Sequence, residues 1–201
     1  VSRIAEPKAG KFADRRSQLA ASALHTLAEL GYARTSLREI AQNSAFSHGV
    51  VHYYFRDKVE LITCCVRLYK ESCIARYDHA VATALTADEL RADLGESMAT
   101  TLREETSMHR LWFDLRNQSL FEESFRADVR EIDGSLERMI GRIVARYAEL
   151  AGAIPAVPAR VAYALLYGVF HQALLSHLAG DEDAAARLRE DVGQILDRLV
   201  R

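Results

Sequence analysis

At 201 residues the chain has room for one large or two modest domains. Hydrophobic residues make up 49% and charged residues 27%, a balance that sets aside disordered and fibrous classes. The net charge of −2 gives no overall argument for nucleic acid. The charge is uneven, however: residues 1–60 carry nine Lys/Arg against six Asp/Glu and the remainder seventeen against twenty-two, so a mildly basic head precedes an acidic body. The three cysteines (Cys64, Cys65, Cys73) are odd in number and do not suggest a secretory disulfide framework, and they read as buried structural thiols, with a redox sensor as the alternative. No apolar run approaches the roughly 20 residues of a membrane span, and the first ten residues have no hydrophobic signal core. The expectation is a cytoplasmic protein without membrane contact.

Residues 1–10 mix Pro, Gly and charge without periodicity and read as a loose arm, from which Arg3, Lys8 and Lys11 could reach along DNA. Phe12 to Leu30 has the three- and four-residue recurrence of a helix, through Leu19, Ala20, Ala23, Leu24, Leu27 and Ala28, and Gly31 stands where a helix stops. The stretch Thr35–Lys58 carries the densest set of signals. Thr35 or Ser36 can cap a short helix, and Glu39 three residues after Ser36 completes a capping-box spacing. Leu37, Ile40 and Ala41 face inward, with Arg38 and Gln42 outward. Asn43-Ser44-Ala45 breaks the pattern as a turn would. Ser47 can cap a second short helix that buries Val50, Val51 and Tyr54 and turns the polar tips of Ser47, His48, His52 and Tyr53 outward. Two short helices across such a turn, the second with a polar outer face, are the layout of a DNA-reading helix-turn-helix.

Further helices are predicted from residue 57 or 58 to about Thr83, over Ala87–Thr106, Met108–Ser119 and Glu122–Leu150, then over Ala159–Ala179 and Asp183–Val200 after a Gly152–Pro158 linker. No strand-like alternation competes, so the fold class is all-α. The division expected is 1–56 for DNA binding and 57–201 for a second helical domain. The Ala159–Ala179 stripe is wide for a helix covered on one side only, which points to a homodimer through residues 159–200. His48 and His52 lie four apart, a metal-ligand spacing, but no third or fourth ligand is suggested nearby and no metal is expected. No nucleophile with a spaced base, Gly-rich phosphate loop or acidic metal cluster is present, so neither catalysis nor a cofactor is expected.

The run Thr35, Ser36, Leu37, Arg38, Ile40, Ala41, Ser47, Gly49, Val51, Tyr54, Phe55, Lys58, preceded by Gly31-Tyr32, resembles the N-terminal DNA-binding domain of TetR-family transcriptional regulators. Two positions depart from the family pattern: Ser44-Ala45 replaces the usual Ala-Gly of the turn, and His52 stands where a Tyr is usual. The resemblance implies an N-terminal helix-turn-helix domain of three helices, joined by a long helix to a helical ligand-binding and dimerisation domain. It implies a dimer on an inverted-repeat operator of double-stranded DNA. Ser36 and Lys58 would meet phosphate and Arg38 phosphate or a base edge, while His48, Val50, His52 and Tyr53 would face the major groove, Gly49 would let the backbone come close, and Ser47 belongs to the same DNA-binding set. It also implies a small-molecule effector held among Tyr69, Cys73, Met98, His109, Trp112, Phe113, Phe125 and Phe170, with Tyr77, Met108 and Phe121 as further candidates. A repressor released by that effector is the expected function. An activator, a ligand-independent regulator and a helical small-molecule-binding protein without DNA function stay open as alternatives.

Overall fold

The computed structural model describes residues 6–31, 36–43 and 46–201 and, between 6 and 31, the side chains at 12–24, 26, 27 and 31. The expected cap at Thr35, the Ser44-Ala45 part of the turn, Tyr32, and the side chains of Arg3, Lys8, Lys11 and Ala28 lie outside the described residues. Among those described, the regular elements are α1 (Glu6–Leu30), α2 (Leu37–Gln42), α3 (His48–Tyr54), α4 (Lys58–Thr83), α5 (Ala87–Glu104), α6 (Thr106–Phe121), α7 (Arg126–Leu150), α8 (Ala159–Leu178) and α9 (Ala184–Arg198). A 3-10 turn at Glu123–Phe125 precedes α7, so the predicted helix from Glu122 begins later than its apolar period suggests. The first helix starts earlier than expected, at Glu6. Pro7 then lies in its first turn, where a missing N–H breaks no intrahelical bond.

The chain divides into two units, one formed by Val1–Lys70 with Arg110–Val129 and the other by Glu71–His109 with Arg130–Arg201. The first therefore reaches beyond residue 56. Leu61, Ile62, Cys65 and Val66 of α4 are buried in it, as are Leu19, Ala20, Ala23 and Leu27 of α1. The Cys65 thiol donates to the Ala20 carbonyl at 3.1 Å, which ties α4 to α1. Gly31 closes α1 with φ +73° and donates its N–H to the Leu27 carbonyl at 2.8 Å, the left-handed stop that glycine adopts without a Cβ penalty.

In the second unit α5, α7, α8 and α9 bury one another's apolar faces, including Leu94, Met98, Ile140, Val144, Leu166, Phe170, Leu188 and Val192. α5 and α9 meet at glycines. A Cβ on Gly95 would lie 3.0 Å from the Arg189 carbonyl oxygen, and the Arg91 side chain lies over Gly193. Arg91 then pairs with Asp197 at 3.1 Å, and Asp197 also accepts from the Tyr147 hydroxyl at 2.6 Å. Burial, and then the Asp197 carboxylate, push the Tyr147 hydroxyl up to about 12. Thr86 caps α5 with Glu89 in a reciprocal capping box.

The Gly152–Pro158 linker is pinned rather than loose. Ile154 and Arg201 exchange backbone hydrogen bonds of 3.0 and 2.9 Å, and Ala156 donates to the Leu199 carbonyl at 2.7 Å. The α8 helix also departs from expectation. Against the expectation that no apolar run reaches span length, it is long and apolar enough to cross a membrane by length and composition, the one such helix among the described residues. Arg160, His171, Gln172, Ser176 and His177 interrupt the run to the eye without offsetting its Leu, Val, Ala and aromatic residues. Ala162, Leu166, Phe170 and Leu174 are buried, while Val161, Leu165, Leu175 and Leu178 are exposed, so α8 is apolar on two faces.

Candidate nucleic-acid interface

The α2–α3 unit is built from local bonds and a small core. The Ser36 hydroxyl accepts from the Glu39 N–H at 3.2 Å while the Glu39 carboxylate accepts from the Ser36 N–H at 2.7 Å, so the capping box read from the spacing is formed. Ser47 caps α3 by accepting from the Val50 N–H at 3.4 Å. Leu37, Ile40, Ala41 and Val51 are buried and fix the two helices against each other. The inward face expected for α3 is narrower than predicted, since Val51 is fully buried but Val50 and Tyr54 only half so. The outward face is as read: Ser47, His48, Gly49, His52 and Tyr53 are exposed, and so are Ser36 and Arg38 on α2. A concavity of about 440 Å³ lies between the two helices, lined by Arg38, Ala41, Gln42, Phe46, Ser47 and His48.

Flanking helices hold this unit in place. Phe12 of α1 packs on Tyr54 at 4.8 Å and reaches Tyr53 at 6.0 Å between ring centroids, and the two tyrosines meet edge to face at 5.0 Å. Tyr53 is thereby oriented although its side chain stays 72% exposed. Phe55 is buried under the Arg16 guanidinium, which stacks on it at 4.9 Å and also pairs with Glu60 at 2.5 Å. Glu60 is the hub. Its carboxylate accepts from the Arg56 backbone N–H at 2.9 Å and from the Arg56 Nε at 3.2 Å, while its own N–H donates to the Asp57 carboxylate at 2.9 Å. Arg15 lies over Phe46 at 4.9 Å. Arg15 and Arg16 thus both have partners within the unit. Lys58 is half-buried in the first turn of α4. Glu60 and Phe12 were missed by sequence reasoning. The i,i+4 spacing of Arg56 and Glu60 was the available signal for the first; nothing local pointed to the second.

His48 and His52 meet across one turn of α3, with Nε2 atoms 3.1 Å apart and rings edge to face at 4.4 Å. Both are exposed.

The expected effector residues are divided between the units. Tyr69, Trp112, Phe113 and Phe125 are buried in the first, where the Lys70 ammonium sits 5.0 Å from the Tyr69 ring and 5.5 Å from that of Trp112. Cys73, Tyr77, Met98, His109 and Phe170 are buried in the second, where His109 and Phe170 are 4.4 Å apart. Met108 is half-buried. Phe121 does not belong with them: as the last residue of α6 it projects past the final turn and is 83% exposed. Burial, with Cys73 nearby, raises the Tyr77 hydroxyl well above its usual range. Burial and the neighbouring Cys64 raise the Cys65 thiol, which keeps it protonated and unreactive.

Residues 19–63, from the second half of α1 through the start of α4, match the model of the bacterial regulatory proteins of the tetR family. The HTH-type transcriptional regulator BetI of Burkholderia thailandensis is 29% identical over 196 residues, spanning 94% of this chain and 97% of that protein. Two solved structures share the fold. A transcriptional regulator FadR from Bacillus subtilis in complex with stearoyl-CoA superposes with a TM-score of 0.72 at 16% identity, covering 89% of this chain and 96% of its own. A regulator from Saccharomonospora viridis in complex with choline gives 0.73 at 18% identity, covering 94% and 98%. With a capped helix-turn-helix whose reading face is exposed and polar, a family match across residues 19–63, and a relative similar along nearly its whole length, the chain carries a tetR-type helix-turn-helix and is similar to DNA-binding transcriptional regulators of the TetR family.

Proposed function

We propose that the protein is a dimeric, cytoplasmic repressor that binds an inverted-repeat operator and is released by a small-molecule effector. The observation that carries this reading is the exposed face of α3, held by the Ser47 cap and the buried Val51 beside the Arg38 concavity. In it, Ser36, Arg38 and Lys58 meet phosphates at the positive N-terminal ends of α2 and α4. Ser47, His48, Gly49, Val50, His52 and Tyr53 face the major groove, where histidine can donate to guanine acceptors and valine can pack on a thymine methyl. Residues 1–56 form the reading domain and 57–201 the effector and dimerisation domain. The exposed Leu165, Leu175 and Leu178 of α8, next to an apolar groove of about 500 Å³ shared with α9, support pairing of two copies through residues 159–200.

Effector binding at Tyr69, Cys73, Met98, His109, Trp112, Phe113, Phe125 and Phe170 would act through α4, which contributes residues to both units. To release DNA, the effector must bind the released state better than the DNA-bound one. The fold does not select its chemistry, since regulators with this fold hold stearoyl-CoA and choline. Here the Lys70 ammonium already lies over Tyr69 and Trp112, which favours a neutral or acidic effector over a quaternary ammonium at those rings. Arg38→Ala and Lys58→Ala are expected to lower operator affinity in an anisotropy titration while circular dichroism stays unchanged. Full affinity in both variants would contradict the interface. Equal effector affinity for the free protein and its DNA complex would contradict the release mechanism.

A further inference from the structure

We propose that His48 and His52 form a two-histidine chelate for a divalent transition-metal ion, and that an ion bound there keeps α3 out of DNA. The second half rests on the reading of α3 as the groove-facing helix. The two Nε2 atoms converge to 3.1 Å from successive turns of α3. With metal–nitrogen bonds of about 2.0–2.1 Å, donors at that separation subtend roughly 100° at an ion, close to both a tetrahedral angle and an octahedral edge. The two side chains already lie in this geometry, so little ordering is needed on binding.

The surroundings fit a hydrated ion. Both rings are exposed, and a Cβ built on the intervening Gly49 would meet nothing within 4 Å. Among the described residues no group of three His, Cys, Asp or Glu is placed to hold a metal, so water completes the coordination. Two imidazoles with open positions favour copper, nickel and zinc over magnesium or calcium. Without metal, one Nε2 donates its proton to the other. On chelation that ring's single N–H proton shifts from Nε2 to Nδ1 and both Nε2 lone pairs turn to the ion, so no proton is lost and charge is added only by the metal. The same two atoms are the groups that would address base edges. A chelated pair cannot make those contacts, and its water shell occupies the space in front of α3.

The test begins on the free, full-length protein without DNA. Titration with nickel chloride by calorimetry is expected to show one ion per chain. Binding should be lost in His48→Ala and in His52→Ala, and retained in His79→Ala, an exposed histidine of α4. All three variants are then checked for unchanged helicity. Next, nickel is added to the wild-type protein on its selected operator. At ten times the measured Kd each α3 is blocked about ten-fold, so the apparent affinity of a dimer for its operator should fall about a hundred-fold by mass action and recover with EDTA. Absence of nickel binding, or binding that survives His52→Ala, overturns the chelate. Binding with undiminished operator affinity overturns the exclusion. If the wild-type protein selects no operator, the reading of α3 fails while the calorimetry still decides the site.

Discussion

α3 and α8 each leave one face unused by their own unit, and the two faces are opposites. α3 has seven residues and buries one of them, Val51, with its free side built from two histidines, a glycine and a tyrosine. α8 has twenty residues, buries an apolar face against its own unit and exposes leucines and a valine on another. A polar face with hydrogen-bonding tips is at ease in water and gains from base edges and phosphates. An apolar face of that length gains from removal from water, at about 25 cal/mol per Å². Under the proposed function the two helices take different partners: DNA for α3 and a second copy of the chain for α8.

The comparison breaks most visibly at α8. Leu165→Glu combined with Leu175→Glu would bury unpaired charge in the dimer interface, at about 3–5 kcal/mol. The expected result is a monomer by light scattering, with helicity retained and operator binding lost. A dimer of normal affinity would show that this face meets something else. Next in size is the α5–α9 contact. Gly95→Val forces side-chain atoms onto the Arg189 backbone oxygen and should lower stability by about 1–3 kcal/mol, read as a drop in thermal midpoint; an unchanged midpoint would mean that the contact yields freely.

Smaller effects separate fold from recognition in the head. Ser36→Ala removes the α2 cap and should cost about 1 kcal/mol, measured by urea unfolding, and it should also weaken operator binding. Loss of stability alone would limit Ser36 to capping. Gly49→Ala should move the two properties in opposite directions. A methyl there meets open space, so helix propensity favours alanine by up to about 1 kcal/mol. If the α3 backbone approaches DNA closely at Gly49, the same methyl weakens operator binding. A variant both more stable and equally tight on DNA would remove Gly49 from the interface.

Much of the head was legible because its signals are local. Both caps, at Ser36 and Ser47, depend on residues three apart, and the inward set Leu37, Ile40, Ala41 follows one helical face. The Thr86–Glu89 box has the same local form and is equally legible in the spacing. What could not be read depends on distant pairs. Arg16 meets Glu60 across 44 residues of chain, Phe12 stacks on Tyr54, and Arg201 pins Ile154. No period or spacing encodes such meetings. Phe121 shows a further limit: an apolar residue at a helix end continues the pattern, but the helix stops and the side chain is left in water. The expected effector residues share aromatic and sulfur character with any helical core, and their division between two units is not encoded in their types. Around α8 the pattern was informative in a different way, since an apolar stripe too wide for one neighbour is a property of the sequence alone.

The measurement that bears most directly on the account is selection of bound fragments from random duplex DNA by the intact protein, at about 150 mM salt because phosphate contacts make affinity salt-dependent. The account predicts an inverted repeat whose half-sites lie roughly one helical turn apart, about 34–36 Å, or a multiple of it, the spacing of two reading helices on a two-fold axis. Recovery of a single unrepeated site, or of fragments with no common sequence, would contradict the pairing of α3 with DNA and α8 with a second copy.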